Sequence, residues 1–189
     1  QAWWALGGYG GMGPKAVEAA SRAATRRALQ LDDRLAEAHV ALGRDRQMYD
    51  RDWTGAEKSF SRALEIDPNN VDAHYFFGFL LHGLGRFSES ISHFERAEQL
   101  DPLSSTVQSG FGRILYRARR FDDAIAHFNR AIALEPRNAA AYGRLGDVYE
   151  EMGKYAEALV AQEKAIALSG RPPGNSADIA RTYARMGKR

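Results

Sequence analysis

Apolar residues recur along this chain at the three- and four-residue spacing of amphipathic helices, in short runs separated by polar turns. The stretch 105–138 shows the plan. Its first half, STVQSGFGRILYRARR, places Phe111, Ile114 and Leu115 on one face; its second half, FDDAIAHFNRAIALEPRN, places Phe121, Ala124, Ile125 and Phe128 on another. The segment Ala118-Arg119-Arg120 between them is too short for anything but an antiparallel helix pair. Pro136 lacks an N–H and biases Glu135 away from helix, so it ends the second helix, and Asn138 can cap the next. Gly112, Ala124 and Ala131 are placed where two helix axes approach most closely, and the aromatic residues are expected to fill the space between successive pairs.

The same pattern returns with a period of 34. Prolines stand at Pro68, Pro102 and Pro136, alanines at Ala63, Ala97, Ala131 and Ala165, and glycines at Gly43, Gly78, Gly112 and Gly146. Aromatics recur at Trp53, Phe87, Phe121 and Tyr155, and again at Phe60, Phe94 and Phe128. Such a period belongs to few repeat architectures. The units run 36–70, 71–104, 105–138 and 139–172, with a divergent unit over 1–35 and a partial one over 173–189. Unit 36–70 is one residue longer, and the extra residue falls in the turn around MYDRD. Thr54 and Glu57 there have the spacing of a capping box. Residues 1–31 read as a short helix, a glycine-rich turn and a helix from Pro14 to Leu31. Near the other end SADIARTYARMGKR reads as the first helix of a further unit, with Ile179, Ala180 and Tyr183 in phase.

This pattern resembles the tetratricopeptide repeat, and the resemblance covers nearly the whole chain. It implies an all-α fold, a right-handed superhelix of antiparallel helix pairs forming one solenoid over 1–189, whose first helices line a concave groove that binds another protein. The groove positions of the family select Arg44 from the first full unit and Tyr75, Phe79 and His82 from the second. They select Arg113, Tyr116 and Arg117 from the third, and Asp147, Glu150 and Glu151 from the fourth. The groove is therefore expected to be basic and aromatic in its middle and acidic toward its C-terminal end, suited to an extended or helical peptide of mixed charge. Gly83, Gly110 and Gly143 are expected to open space in it. The chaperone carboxylate clamp is not matched, because the pairs at its positions are Val40 with Arg44, Tyr75 with Phe79, Ser109 with Arg113 and Gly143 with Asp147. No asparagine ladder occurs either. The phrase YDRDWTGAEKSFSRALEIDPNN is similar to arrays appended to bacterial multidomain signalling proteins.

Composition adds limits. The 189 residues are 44% hydrophobic, enough for a continuous core. No run approaches the roughly 18–20 apolar residues of a membrane span. QAWWALGG is too short for one and lacks the basic flank of a signal peptide. The absence of a starting Met and the incomplete last unit suggest a fragment of a larger protein. Cysteine is absent, which excludes thiol chemistry and fits a cytoplasmic setting. The net charge of +2 is too small for a nucleic-acid footprint. The tail from Arg171 to Arg189 is basic and is read as solvated.

Candidate chemistry is sparse. Gly8 to Gly13 matches G-x-G-x-x-G but lacks the strand that a dinucleotide site needs, and reads as a turn. His39 and His74 share a repeat position, as do His93 and His127, so repeat phase explains their recurrence. No two histidines have the spacing of a metal pair on one helix. The acidic pairs Asp122-Asp123 and Glu150-Glu151 suit capping and solvation better than acid–base work. No catalytic, cofactor or metal constellation emerges, and the chain is read as a non-enzyme with protein or peptide partners. The alternative function is self-assembly, by stacking through the ends or the convex face.

Overall fold

The structure, a computed structural model, describes residues 13–170 and 177–187. Residues 8–12 of the glycine motif, the expected short first helix and part of the basic tail lie outside them. The described helices belong to two compact units, Gln1–Leu100 and Asp101–Arg189.

In the first unit α1 (Pro14–Leu31) precedes two helix pairs. These are α2 (Ala36–Asp45) with α3 (Trp53–Ile66), and α4 (Val71–Gly83) with α5 (Phe87–Leu100). In the second unit α6 (Ser105–Arg117) pairs with α7 (Phe121–Leu134) and α8 (Ala139–Glu151) with α9 (Tyr155–Ser169); α10 (Ala177–Arg185) follows. The all-α class and the helix pairs are those the periodicity predicts.

Glycine against aromatic ring sets the approach within a pair. A Cβ on Gly43 would meet the Phe60 ring at 2.6 Å, one on Gly78 the Phe94 ring at 2.8 Å, and one on Gly112 the Phe128 ring at 3.0 Å. Phe60, Phe94 and Phe128 are fully buried beside Ala56, Ala63, Ala97, Ala124 and Ala131. These rings therefore fill each pair from inside. Between pairs, Phe60 stacks on Phe77 of the next helix at 5.9 Å, as expected of the aromatics, and in the other aromatic series Phe121 and Tyr155 are half-buried whereas Trp53 and Phe87 are not. Trp53 is 45% and Phe87 54% exposed, each being the first residue of its helix.

Side-chain oxygens cap the helix starts that the pattern marks. Asn70, Ser104 and Asn138 accept from Ala73, Val107 and Ala141 amides at 2.9, 3.3 and 3.0 Å. The capping box is not formed by Thr54 and Glu57. Asp52 caps α3 by accepting from the Gly55 amide at 2.8 Å, Thr54 lies inside the helix, and Glu57 pairs with Arg86 instead. The extra residue of this unit is absorbed as a π-helical turn, Arg46–Asp50, closed by the Asp52 amide on the Arg46 carbonyl at 3.0 Å.

Each tight turn passes through one left-handed residue at the same repeat position: Arg51, Gly85, Arg119 and Gly153, with φ of 53°, 79°, 59° and 74°. Gly187 continues the series at 71°. The closing hydrogen bonds are those of a helix C-cap, for example the Arg86 amide on the Leu81 carbonyl and the Arg120 amide on the Leu115 carbonyl, both 2.9 Å.

Candidate peptide-binding faces

In the first unit the selected residues lie on α2 and α4, the first helices of their pairs. Arg44 is half-buried, with its guanidinium carbon 4.3 Å from the centre of the Phe76 ring. Tyr75 meets Phe76 and Phe79 edge-on, with centres at 5.0 and 4.9 Å. Both Tyr75 and Phe79 reach the buried Phe94, at 5.6 and 4.9 Å. The structure thus joins Arg44, Tyr75 and Phe79 through Phe76 and Phe94 into a half-exposed surface rooted in the core. His82, nearer the end of α4, leans on Phe87 at 5.1 Å.

A second feature of this unit was not legible in the groove positions. Ser21, Ala24, Thr25 and Ala28 of α1 stand 35 residues before Ala56, Ser59, Phe60 and Ala63 of α3. Thr25 thus takes the place of a core phenylalanine, and the missing ring leaves a trough of about 480 Å³ between α1 and α2. Asp45 is buried beside it and accepts from Ser21 Oγ at 3.0 Å and Thr25 Oγ1 at 3.3 Å.

In the second unit Arg113 and Tyr116 are half-buried on α6, and Arg117 is exposed. The Tyr116 ring lies 6.1 Å from Phe121. Burial raises its hydroxyl pKa, and the Asp147 and Glu151 carboxylates of α8 raise it further. Gly143 leaves room, its nearest neighbour being the Ala165 Cβ at 3.8 Å from where a Cβ would stand. Gly110 is buried and opens nothing.

The acidic end is where expectation and structure part. Glu150 is 3% exposed and accepts from Arg181 Nε at 2.9 and 3.1 Å and from Arg181 Nη2 at 2.9 Å. Arg185 Nε approaches it at 3.2 Å, and Arg185 Nη1 reaches Glu151 at 3.2 Å. Asp147 holds Arg144 at 3.2 Å and lies 3.6 Å from Arg181. The Arg181 hydrogen bonds hold the Glu150 carboxyl below the usual range, whereas burial pushes that of Asp147 up. The face is acidic in sequence but neutralised in place by α10. The tail residues expected to be solvated include the two arginines that do this.

Two polar arrangements, one half-buried and one buried, also escaped the sequence reading. The repeat-related positions of His74 and His93 bring their Nδ1 atoms to 2.9 Å, while His74 Nε2 donates to the Pro68 carbonyl at 3.1 Å. One unit along, Gln108 and His127 make the equivalent contact at 2.8 Å, and Gln108 Nε2 donates to the Pro102 carbonyl at 3.3 Å. The 34-residue phase of these positions was the available signal. Gln162 stands where Phe60, Phe94 and Phe128 stand in earlier units; it is buried and accepts from Thr182 Oγ1 at 3.0 Å.

Family models described as tetratricopeptide repeat match residues 48–110 and 110–176. The chain belongs to the tetratricopeptide repeat family. That family is a non-catalytic protein-interaction fold. Among solved structures the chain is similar to the MamA protein at 28% identity and TM-score 0.67, over 81% of this chain and 83% of that one. It is similar to PilF of Pseudomonas aeruginosa at 24% identity and TM-score 0.73, over 82% and 70% of the two chains. It also matches YrrB, described as a TPR protein with an unusual peptide-binding site, at 23% identity and TM-score 0.66, over 90% and 86%. The last two likenesses establish fold alone. No curated protein matches the sequence significantly. Among the described residues no helix is long and apolar enough to cross a membrane, and no three His, Asp or Glu side chains are grouped to hold a metal ion.

Proposed function

We propose that this tetratricopeptide protein is an interaction module whose first-helix faces hold an extended or helical peptide, as the scaffolding or sensing part of a larger bacterial, cytoplasmic protein. The observation that carries this reading is the surface of Arg44, Tyr75, Phe76 and Phe79, half-exposed and rooted on the buried Phe94. Rings fixed in this way contribute apolar contact at little cost in side-chain entropy, and an arginine beside them can fix a peptide carboxylate or carbonyl. In the second unit Arg113, Tyr116 and Arg117 give α6 a similar mixture. The fold is used for peptide binding in YrrB, in keeping with such a role. The resemblance of YDRDWTGAEKSFSRALEIDPNN to arrays of bacterial signalling proteins supports the setting.

The test is selection from a displayed library of random peptides, followed by fluorescence anisotropy with an enriched peptide. Arg44→Ala, which removes a half-exposed side chain, is expected to weaken binding about tenfold with an unchanged helical spectrum. If no peptide is enriched, or if Arg44→Ala and Arg113→Ala both bind as the unaltered chain does, the reading fails. A concentration-dependent mass would then favour self-assembly.

A further inference from the structure

Arg44 differs from the other half-buried arginines of the first unit. Arg22 donates to Asp50 at 2.7 Å, Arg46 to the Gly55 carbonyl at 3.0 Å, and Arg86 to Glu89 at 2.6 and 2.7 Å. Among the described residues Arg44 has neither a hydrogen bond nor an ion pair; its contact is the face of the Phe76 ring. A guanidinium stacked on a ring keeps the N–H groups along its edge available. Holding it half out of water without an acceptor costs free energy, which a carboxylate in bidentate contact offsets. Two acids on the same face are also unpaired among the described residues. Glu37 of α2 and Asp72 of α4 share a repeat position and are exposed. An acid in the first turn suits the helix dipole, yet both carboxylates remain open to solvent. They stand two turns before Arg44 and Phe79, which share a later position, so about 10 Å of helix separates the acidic end of the face from the arginine and the ring. Tyr75 and Phe76 lie between the two ends, and Met48, 50% exposed, lies beyond Arg44.

We propose that the occupant of the α2–α4 face is a partner's peptide segment with an acidic side chain for Arg44, a large apolar residue next to that acid, and a basic residue for Glu37 and Asp72. The carboxylate meets the edge of the Arg44 guanidinium, and the apolar residue covers Phe76 and Phe79. Charge complementarity selects this occupant, because an all-acidic segment would meet Glu37 and Asp72, and an all-basic one would meet Arg44. The order of charges also fixes its direction, with the base toward the N-terminal ends of α2 and α4. The separation of about 10 Å corresponds to about seven residues of a helix or about three of an extended chain, so the spacing in a bound sequence tells the two forms apart. The inference rests on reading the α2–α4 surface as peptide-binding, and it names the partner of that surface.

The experiment takes a peptide that the full chain enriches from a displayed random library and measures its binding by fluorescence anisotropy. Replacing the peptide's acid by the matching amide should weaken binding to the unaltered chain about tenfold and leave binding to Arg44→Gln unchanged. Replacing its base by Gln should weaken binding about threefold, and Glu37→Gln/Asp72→Asn should remove that effect. Because the first comparison changes the peptide alone, it decides even where a chain variant loses its helical spectrum. Enriched peptides without an acid, or an amide version that binds as tightly as the acid, overturn the proposal and leave the peptide-binding reading standing. An equal loss on Arg44→Gln means that the acid pairs elsewhere, and overturns it too. A base whose replacement changes nothing overturns the charge order. If the library yields no peptide, that reading and this inference fall together.

Discussion

At the scale of single residues the fold depends on small side chains whose roles differ by what stands opposite them. Gly43 faces three Phe60 ring atoms, all within 2.9 Å of where a Cβ would be, whereas nothing lies within 4 Å of that point at Gly83. Alanine favours helix over glycine by roughly 0.5–1 kcal/mol, but overpacking a closed core costs about 1–3 kcal/mol. Gly43→Ala is therefore expected to destabilise and Gly83→Ala to stabilise slightly, as urea unfolding would measure. The left-handed turn position gives a second pair of opposite sign. Gly153→Ala should cost about 1 kcal/mol, and Arg119→Gly should recover part of a similar strain, less the Arg119 contact with the Phe121 ring at 5.2 Å. The facing of glycine and phenylalanine was legible in the sequence because both recur in phase. The exposure of Trp53 and Phe87 was not, since periodicity gives spacing but not how far the first residue of a helix is covered.

At the scale of helices, polar contacts between repeat positions do what spacing within one helix cannot reveal. Because His74 Nε2 donates to Pro68, its Nδ1 accepts, and His93 Nδ1 donates to it. Both rings are then neutral. Burial, followed by the His74 ring, pushes the His93 pKa down to about 4, and burial also lowers that of His74. The charges around the pair are Asp67 and Arg96 for His74, and Glu89 and Arg86 for His93. A histidine whose folded pKa lies below its unfolded value of about 6.5 binds fewer protons when folded. The stability it contributes is present above that value and is lost as pH falls from about 6.5 toward 4. The thermal midpoint should therefore drop between pH 7 and pH 5. His74→Gln copies the Gln108–His127 contact of the second unit, so it should keep the stability at pH 7 and flatten the drop. An equally steep drop in that variant would count against this account. The ionic hold on α10 was illegible for a related reason: Glu150 and Arg181 lie 31 residues apart, on different repeats, and no helical spacing connects them.

At the scale of the whole molecule the 34-residue period disclosed the fold class, the helix pairs and the family. It left open the chemistry of the faces, because solvent-facing positions are not constrained to recur. Residues selected by family position proved uneven. Arg44, Tyr75 and Phe79 form a continuous surface, whereas Asp147 and Glu150 are engaged by α10. Tyr75 and Phe79 also serve the core, so Phe79→Ala should lower stability by about 2 kcal/mol, since its ring stands 4.9 Å from Phe94. Loss of binding in that variant would therefore be a poor test. The most direct measurement is a hydrogen-exchange footprint of a library-selected peptide on the unaltered chain. The account predicts protection on binding in α2 and α4 of the first unit, or α6 and α8 of the second, with α3, α5, α7 and α9 unchanged. Protection confined to the second helices, or to none, would contradict it.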